Sequence, residues 1–349
     1  MRTGGAERLV VELAVRLKNR GHKVDIFLMD GTDTFLKKEL LKEEITVTAG
    51  GRGYLQMWNP FHILKLKKII KAKGYDIIHT HNTAVQYIGA LSVSDTKIKL
   101  VTTEHNTFNK RRKWPGFKNI DKKIYSRYDK VICVSREVKT LLLNYLKENG
   151  EDKFPVIYNG IDLSKFHHKD NCSENRDRFI ITMIAAFRKQ KDHETIIMAM
   201  MYLPENYELW LAGEGETKEM YERLVETLDL KDRIKFLGNV ENMPVLLSQS
   251  DVMVLSSHYE GMPLSLIEAM AAAKPCIASD VDGNREIIKG YGLLFNHKDP
   301  VDVASKIKLV CETGELYKRL SDLSLKRSKD FDINKTVDQY EKSYQSLFP

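Results

Sequence analysis

Short apolar segments alternate with segments of helical periodicity along most of the chain. Residues 252–255, with the sequence VMVL, are apolar at every position, which is typical of a parallel strand buried on both faces. Comparable runs predict further strands at 23–28, 75–81, 100–106, 129–135, 179–186, 207–212, 233–240 and 276–278. Helices are predicted between them and through most of 301–348. This alternation predicts an α/β fold built on parallel sheets.

One predicted helix combines apolar and basic side chains. The segment 61–73, FHILKLKKIIKAK, places Phe61, Leu64, Ile69 and Ile70 at helical spacing among five lysines. Such a pattern is typical of a surface helix with a solvated basic face. Near the end of the chain, a second apolar stripe is formed by Tyr340, Tyr344, Leu347 and Phe348.

Length and charge add two constraints. A chain of 349 residues favours two domains over a single core. Residues 1–155 contain 30 Lys and Arg against 17 Asp and Glu, or +13, whereas residues 156–349 contain 25 against 31, or −6; together these give the net +7. This asymmetry predicts that the first half meets an anionic partner.

Composition favours a cytosolic protein. No apolar run reaches the 18 residues of a transmembrane helix, and we expect no signal peptide. The four cysteines show no metal-ligand spacing, so reduced thiols are the simplest interpretation. They are Cys133, Cys172, Cys276 and Cys311.

The chain turns at residues 260–263, directly after the buried strand. A helix is expected to start near Pro263, because proline suits a first helical position. Free backbone N–H groups and the positive helix end then form an anion site. Glu260 precedes the helix, and Glu268 lies about one and a half turns into it. Because carboxylates accept hydrogen bonds from hydroxyl groups, the pattern favours a sugar attached to an anionic group.

Glu260 and Glu268, separated by seven residues in EGMPLSLIEAMA, lie between VMVLSS and AAAKPCIASDVDG. In that context the segment resembles the signature of glycosyltransferase family 4, whose members are retaining, nucleotide-sugar-dependent enzymes of the GT-B fold. The resemblance implies two Rossmann-like α/β domains facing each other across an interdomain cleft. VIYNGIDLSKF, from Val156, resembles the family's interdomain linker. We therefore expect an acceptor-side domain over 1–156, a nucleotide-sugar-binding domain over 157–334, and a final helix at about 335–349 packing back on the first.

The resemblance also assigns chemical roles in the second domain. Lys191, in a KDH context, and Arg188 would neutralise the leaving diphosphate. The family's usual arginine position carries Ala186, so Arg188 is displaced by two residues. Glu260 would orient the donor sugar, and Glu268 would accept hydrogen bonds from the ribose. With His105 of the first domain, the expected catalytic residues are His105, Glu260, Lys191 and Arg188.

Two predicted strands end in histidines. His79 and His81, in DIIHTH, share a face and would suit a metal, but no third ligand follows at a useful spacing. The family commonly has this segment at its cleft. His105, in TEHN, occupies a position that the family places near the donor sugar. A histidine that is hydrogen bonded in the core is the alternative for His105.

Glycine turns complete the expected donor site. The turn 213–215 corresponds to the family's nucleotide pocket, with plain chain reversal as the alternative. The strand at 233–240 ends in a segment resembling the base-contacting loop. The expected donor-binding residues are Gly4, Gly5, Arg188, Lys191, Gly213, Gly215, Asn239, Val240, Glu260, Gly261, Met262, Pro263, Leu264 and Glu268.

The segment GGAER, which contains Gly4 and Gly5, departs from the family pattern. In the family this turn follows a first β-strand, but only three residues precede Gly4 here. We therefore expect that the first strand is missing, and we interpret Met1 as an internal methionine of a longer gene product. The missing strand puts the rigidity of this glycine loop in doubt.

Asp280 and Asp282 resemble the Asp-x-Asp metal motif of the other major glycosyltransferase fold. The family has a similar SDVGG-type segment without a metal role, and in GT-B enzymes phosphate charge is met by lysine, arginine and a helix end. We therefore expect no cofactor and no required metal, with the nucleotide sugar acting as substrate.

The most basic stretch, 108–123, also contains Trp114 and Phe117. Basic residues interleaved with aromatic residues are typical of membrane interfaces and of nucleic-acid sites. Nothing else in the chain resembles a nucleic-acid module. We therefore expect a cytoplasmic enzyme with peripheral contact to an anionic membrane and no nucleic-acid partner. A soluble enzyme with an exposed active-site loop is the alternative.

The expected reaction is hexosyl transfer from a nucleotide-diphosphate sugar, UDP being favoured over GDP, to a hydroxyl of a glycan or lipid-linked acceptor. Polysaccharide or glycolipid synthesis would use such a step. Two alternatives remain open, a sugar-nucleotide epimerase of the same fold and a catalytically inactive partner subunit. A nicotinamide dehydrogenase is disfavoured, because no G-x-G-x-x-G follows a predicted strand.

Overall fold

The computed structural model describes residues 5–53, 59–94, 97–107, 109, 112, 114–166 and 177–349. The chain divides into two compact units. Unit 1 comprises Met1–Gly160 together with Ile333–Pro349, and unit 2 comprises Ile161–Asp332. From the sequence we expected the domain limits at residues 156 and 334.

The described strands of unit 1 form two separate parallel sheets. Their bounds are β1 Asp25–Asp30, β2 Thr46–Gly51, β3 Ile77–His81, β4 Lys99–Glu104 and β5 Lys130–Cys133. β1 pairs with β2, and the second sheet has the order β3-β4-β5. No described strand joins the two sheets. The middle strand β4 is buried at every position after Lys99, as expected for a strand paired on both sides.

The helices of unit 1 cover these sheets. Those before Gly160 are α1 Gly5–Asn19, α2 Phe35–Lys42, α3 Phe61–Lys73, α4 Thr83–Ser92, α5 Phe117–Ser126 and α6 Arg136–Leu146. α1 contacts both sheets. Leu9 and Leu13 lie in a cluster with Val101 of β4, while Val11 lies in another with Leu28 of β1.

The strands of unit 2 form a single parallel sheet. Their bounds are β6 Phe179–Ile184, β7 Tyr207–Ala212, β8 Ile234–Gly238, β9 Val252–Leu255, β10 Cys276–Ser279 and β11 Leu293–Phe295. Their order is β11-β10-β9-β6-β7-β8. Every residue of β9 and β10 is buried. The helices are α7 His193–Ala199, α8 Lys218–Thr227, α9 Met243–Gln249, α10 Leu264–Ala271, α11 Asp282–Ile288, α12 Pro300–Glu312 and α13 Gly314–Ser328.

The final helix, α14 (Ile333–Gln345), packs within unit 1. Tyr340 is fully buried in the same cluster as the inner face of α1, and Tyr344 and Leu347 pack against that cluster while partly buried. Phe348, the last member of the predicted stripe, is 40% exposed. The stripe therefore packs inside unit 1 as far as Leu347. Phe348 lies beyond the end of α14 and is not part of this packed face.

α3 has the predicted bounds, and its lysines are exposed as expected of a surface helix. Phe61 and Leu64 are also exposed, at 72% and 64%. The ring of His62 instead lies against Gly50, where an added Cβ would come within 2.4 Å of the imidazole Cε1. This close approach fixes the rotation of the helix. The buried residues are His62, Leu66 and Ile70.

Candidate functional site

The loops that follow β6 and β9 bring Lys191 and Glu260 into contact. Lys191 Nζ donates to Glu260 Oε1 at 2.5 Å, and Ser257 Oγ donates to the same oxygen at 2.6 Å. Glu260 is only 6% exposed. Its carboxylate thus accepts hydrogen bonds from one ammonium group and one hydroxyl. Hydrogen bonds to a charged group are stronger than those between neutral groups, so the carboxylate is held firmly. The pairing joins two residues that the sequence analysis assigned to sugar and diphosphate separately.

Backbone contacts fix the same two loops against each other. Gln190 Nε2 donates to Tyr259 O at 2.8 Å, and the backbone N–H of His258 donates to Gln190 O at 2.8 Å. Arg188 differs from Lys191, since its side chain is exposed and bonds to no other described residue. The loop therefore offers Lys191 as a cation that is already paired and Arg188 as one that faces solvent.

In the segment after β10, Gly283 packs closely against the loop that carries Glu260. A Cβ at Gly283 would lie 2.4 Å from Glu260 O, so any side chain would displace the loop that carries Glu260. Ser279 Oγ donates to Ser257 O at 2.7 Å and accepts from the Ser257 backbone N–H at 2.9 Å. The SDVDG segment thus supports the loop 257–260 directly.

Asp280 and Asp282 are engaged by an arginine. Arg285 Nε donates to Asp280 Oδ1 at 2.8 Å, and Arg285 Nη1 donates to Asp282 Oδ1 at 2.5 Å. The guanidinium pairs with both carboxylates on the surface of unit 2. A metal at these two residues would have to displace that arginine.

The glycine turn after β7 packs on the backbone that follows β6. A Cβ at Gly213 would lie 2.1 Å from Ala185 O, and one at Gly215 would lie 2.3 Å from Phe187 O. Glycine is required here for close packing of two loops, whichever ligand the turn contacts. Asn239 is exposed and Val240 half-buried directly after β8.

The turn before α10 is almost wholly buried. Gly261, Met262 and Pro263 are all buried, and Pro263 is the N-cap residue, so the helix begins one residue later at Leu264. Glu268 projects from the helix and is 7% exposed. The Glu268 carboxylate is therefore largely removed from solvent and held in place by α10 and the turn before it.

In unit 1, three histidines form a row at the ends of β3 and β4. His81 Nδ1 and His105 Nε2 lie 3.1 Å apart, and the rings of His79 and His81 have centroids 4.2 Å apart. His79 Nδ1 is 2.7 Å from the hydroxyl of Tyr344, and His79 Nε2 is 2.8 Å from Thr103 Oγ1. His105 is therefore supported through its neighbours by the final helix, a partner that the sequence analysis missed.

Burial keeps these imidazoles neutral. It lowers the pKa of His79 to about 3 and the pKa of His105 to about 4, and it lowers the pKa of His81 well below the usual value. In a pair of neutral imidazoles, one ring nitrogen donates and the other accepts. His105 is thus a neutral hydrogen-bonding group at neutral pH.

Arg112 departs from the surface role expected of the basic stretch. Its Nη2 lies 3.3 Å from Glu104 Oε2, and its side chain is only 10% exposed. The hydroxyl of Tyr125 also donates to Glu104 Oε2. Arg112 is thus a buried partner of the residue before His105, and treating it as a surface charge was wrong. Gly4 and Lys110, Arg111 and Lys113 lie outside the described residues.

Two family models match consecutive parts of the chain. A model described as Glycosyltransferase Family 4 matches residues 3–165, and one described as Glycosyl transferases group 1 matches residues 165–327. The chain belongs to glycosyltransferase family 4. The resemblance drawn from the motif around Glu260 and Glu268 is confirmed, and the chain is a glycosyltransferase.

Curated relatives of this glycosyltransferase span most of its length. It is 27% identical over 363 residues to N-acetyl-alpha-D-glucosaminyl L-malate synthase of Bacillus anthracis, covering 99% of the chain and 94% of that protein. It is 28% identical over 303 residues to UDP-Gal:alpha-D-GlcNAc-diphosphoundecaprenol alpha-1,3-galactosyltransferase of Escherichia coli, covering 81% and 78%.

Among solved structures, an Anabaena protein in complex with UDP and glucose matches with a TM-score of 0.86 at 20% identity. The match covers 99% of this glycosyltransferase and 97% of that chain. At this identity it shows the fold alone. The predicted GT-B fold is confirmed.

Proposed function

We propose that this glycosyltransferase moves a hexosyl group from a nucleotide-diphosphate sugar to a hydroxyl of a glycan or lipid-linked acceptor, with retention at the anomeric carbon. The observation that carries the proposal is the contact between Lys191 Nζ and Glu260 Oε1, 2.5 Å, at the carboxyl edge of the sheet in unit 2. A cation beside a carboxylate suits an anionic leaving group attached to a sugar that is held through its hydroxyls.

Lys191 is assigned to the leaving diphosphate. The glycosidic bond breaks through an oxocarbenium-like state while negative charge develops on the diphosphate. A cation already held in place by Glu260 stabilises that charge without reorganisation. Arg188, which has no described partner, supplies a second positive charge, and the backbone N–H groups at the start of α10 add hydrogen bonds.

Glu260 is assigned to the donor sugar and Glu268 to the ribose hydroxyls. A UDP-sugar is the preferred donor and a GDP-sugar the alternative. The UDP preference is supported by the Anabaena structure, which holds UDP and glucose, and by the E. coli relative named for UDP-Gal. Gly213 and Gly215, with Asn239 after β8, belong to the proposed nucleotide pocket.

His105 is assigned to contact the sugar near the acceptor. As a neutral imidazole supported by His81 at 3.1 Å, it provides a hydrogen bond without adding charge to the forming oxocarbenium ion. No residue is assigned as a covalent nucleophile. The reaction is proposed to need no metal, since cations of the chain meet the diphosphate.

The acceptor is proposed to be presented at a cytoplasmic membrane surface. The E. coli relative is named for a diphosphoundecaprenol acceptor. In unit 1, the exposed face of α3 carries Phe61 and Leu64 beside Lys68 and Lys71, and Trp114 is 60% exposed. Such a face suits shallow contact with an anionic leaflet. None of the described helices is both long and apolar enough to cross a bilayer.

The proposal is tested first by donor binding. UDP-sugars and GDP-sugars are screened by thermal shift, since a bound ligand raises the melting temperature by mass action. The UDP-sugar is expected to give the larger shift. Product formation is then followed with a lipid-linked acceptor, and nuclear magnetic resonance determines whether the anomeric configuration is retained.

Lys191→Gln is expected to lower kcat by about 10²–10³, as loss of a group that stabilises developing charge does. Lys189→Gln is the matched control, because Lys189 lies in the same turn, is exposed and bonds to no other described residue.

The same assays separate the alternative functions. Donor conversion without acceptor would indicate an epimerase, and donor binding without turnover would indicate an inactive subunit. Activity is expected to survive EDTA; a loss restored by Mn²⁺ would show that the reaction needs a metal.

A further inference from the structure

Three potential metal ligands converge at the carboxyl edge of the sheet in unit 2. Asp192 follows β6, His258 follows β9 and His297 follows β11. His258 Nδ1 lies 2.8 Å from His297 Nε2 and 3.6 Å from Asp192 Oδ2. One ligand atom from each residue lies within 4.8 Å of the other two. The cluster is distinct from the donor contacts assigned above.

The two histidine nitrogens lie at hydrogen-bond distance, and the two separations bracket the spacing of ligand atoms around a bound cation. Zinc bond lengths of about 2.0–2.2 Å in a tetrahedral site place neighbouring ligand atoms about 3.3 Å apart. The observed 2.8 Å and 3.6 Å fall on either side of that value. We propose that Asp192, His258 and His297 form a three-ligand site for a zinc-like divalent cation that takes no part in sugar transfer.

Asp192 is held in place as a ligand would be. Its backbone adopts the left-handed conformation, with φ 42° and ψ 48°, at the junction between a short 3-10 helix and α7. Thr195 Oγ1 donates to Asp192 Oδ2 at 2.8 Å, and Ser256 Oγ donates to Asp192 O at 2.9 Å. Hydrogen bonds of this kind orient ligating carboxylates in metal sites.

The electrostatics also suit a cation. Asp192 supplies the negative charge of the cluster, which partly offsets the repulsion from Lys298.

The site would connect the two loops of the proposed donor site. Asp192 directly follows Lys191, and His258 lies two residues before Glu260. The backbone N–H of His258 already donates to Gln190 O at 2.8 Å. A cation bound between these loops would add a link beside the pairing of Lys191 with Glu260. Its expected consequence is a higher melting temperature.

The test is zinc binding by the full chain, without an affinity tag and with no donor or acceptor present. Titration calorimetry is expected to show one Zn²⁺ per chain, and Co²⁺ is expected to give the visible absorption of a tetrahedral site. His297→Asn and His258→Asn should each lower the affinity at least about tenfold, since even loss of an outer-shell partner costs 10–100-fold. His22→Asn, a surface histidine paired with Glu341 in unit 1, should leave it unchanged.

Absence of Zn²⁺ binding, or binding unchanged in both histidine variants, would overturn the site. Cys311 is the one described cysteine that is not fully buried, so Cys311→Ser is measured in parallel. Zinc affinity that disappears with this change instead of the histidine changes would also overturn it. Because His297 is exposed, its variant is expected to melt like the parent protein in EDTA. Sugar transfer does not enter any of these measurements.

Discussion

Unit 1 and unit 2 are both built from parallel strands, but the strands are paired differently. In unit 2, β9 is hydrogen bonded to β10 on one side and to β6 on the other. In unit 1, β1 and β3 each have one partner among the described strands. Burial follows the pairing. All of β9 is buried, whereas β3 is buried at Thr80 alone and β1 at Leu28 and Met29.

This difference indicates where each unit is rigid. A continuous sheet covered on both faces opens only at high free energy, whereas half-buried strands with one partner open locally at lower cost. The loops with Lys191 and Glu260 follow β6 and β9, two paired and central strands. The histidine row of unit 1 includes the end of β3. Donor contacts are therefore expected to be preorganised, and the acceptor side to be more adaptable.

Matched truncations should give the largest effect. Ile277→Ala in β10 removes a fully buried side chain and is expected to cost about 4 kcal/mol of unfolding free energy. Ile77→Ala in β3 removes a partly buried one and should cost about 2 kcal/mol. Urea unfolding with hydrogen exchange read separately for each unit measures both. Equal costs would contradict the comparison.

Glu268→Gln tests whether donor binding resides in unit 2. If the carboxylate accepts hydrogen bonds from ribose, UDP binding should weaken by about 1.5–3 kcal/mol, the usual contribution of a hydrogen bond to a charged group. Calorimetry with UDP measures this. Glu219→Gln on the exposed side of α8 is the control. An unchanged UDP affinity in the Glu268 variant would remove that residue from the site.

Membrane contact should reside in unit 1. Changing Lys68 and Lys71 to Ser is expected to weaken binding to anionic liposomes by about 2 kcal/mol, since each lysine near such a surface contributes about 1 kcal/mol. Changing Lys318 and Lys326, exposed lysines of unit 2, should have little effect. Co-sedimentation at low and high salt measures both pairs. Equal recovery of the parent protein with neutral and anionic liposomes would favour a soluble acceptor.

Acid should open unit 1 before unit 2. The pKa values of His79 and His105 are lowered to about 3 and about 4, below the unfolded value of about 6.5. The unfolded chain therefore binds more protons between about pH 6.5 and 4, and folded stability falls as pH falls through that window.

His81 adds a third such group in unit 1. The corresponding groups of unit 2 are His193, whose pKa is lowered to about 3, and His297, whose pKa is also lowered. Hydrogen exchange in steps from pH 7 to about 4.5 should show earlier loss of protection at β3 and β4. Earlier loss at β6 and β9 would reverse the expected order.

The sequence by itself determined the elements with strong local periodicity and the family. Phe61–Lys73 and Val252–Leu255 have the predicted bounds, because apolar spacing and a continuous apolar run are short-range signals. The motif that contains Glu260 and Glu268 was sufficient for family 4 and the GT-B fold, which the comparisons confirm. The other predicted strands are present; β7 has the predicted bounds, and the ends of the rest differ from the prediction by one to a few residues.

Only the tertiary structure decided which side chains meet. Lys191 and Glu260 are 69 residues apart, and their contact depends on β6 and β9 being neighbours in the sheet. The sequence suggested that Arg112 is a surface charge, whereas in the structure it forms an ion pair with the buried Glu104. Likewise, only the structure shows that α3 buries His62 against Gly50 of β2 and leaves Phe61 exposed.

The physical reason is that local periodicity constrains only residues within a few turns of one another. Sheet order and the rotation of a packed helix depend on burial summed over the whole unit. The three potential metal ligands illustrate this. Asp192, His258 and His297 each follow a different strand, and their separations along the sequence do not match the short spacings of metal-binding motifs. Parallel strands end at a common edge, and that edge, set by the order β11-β10-β9-β6, brings them together.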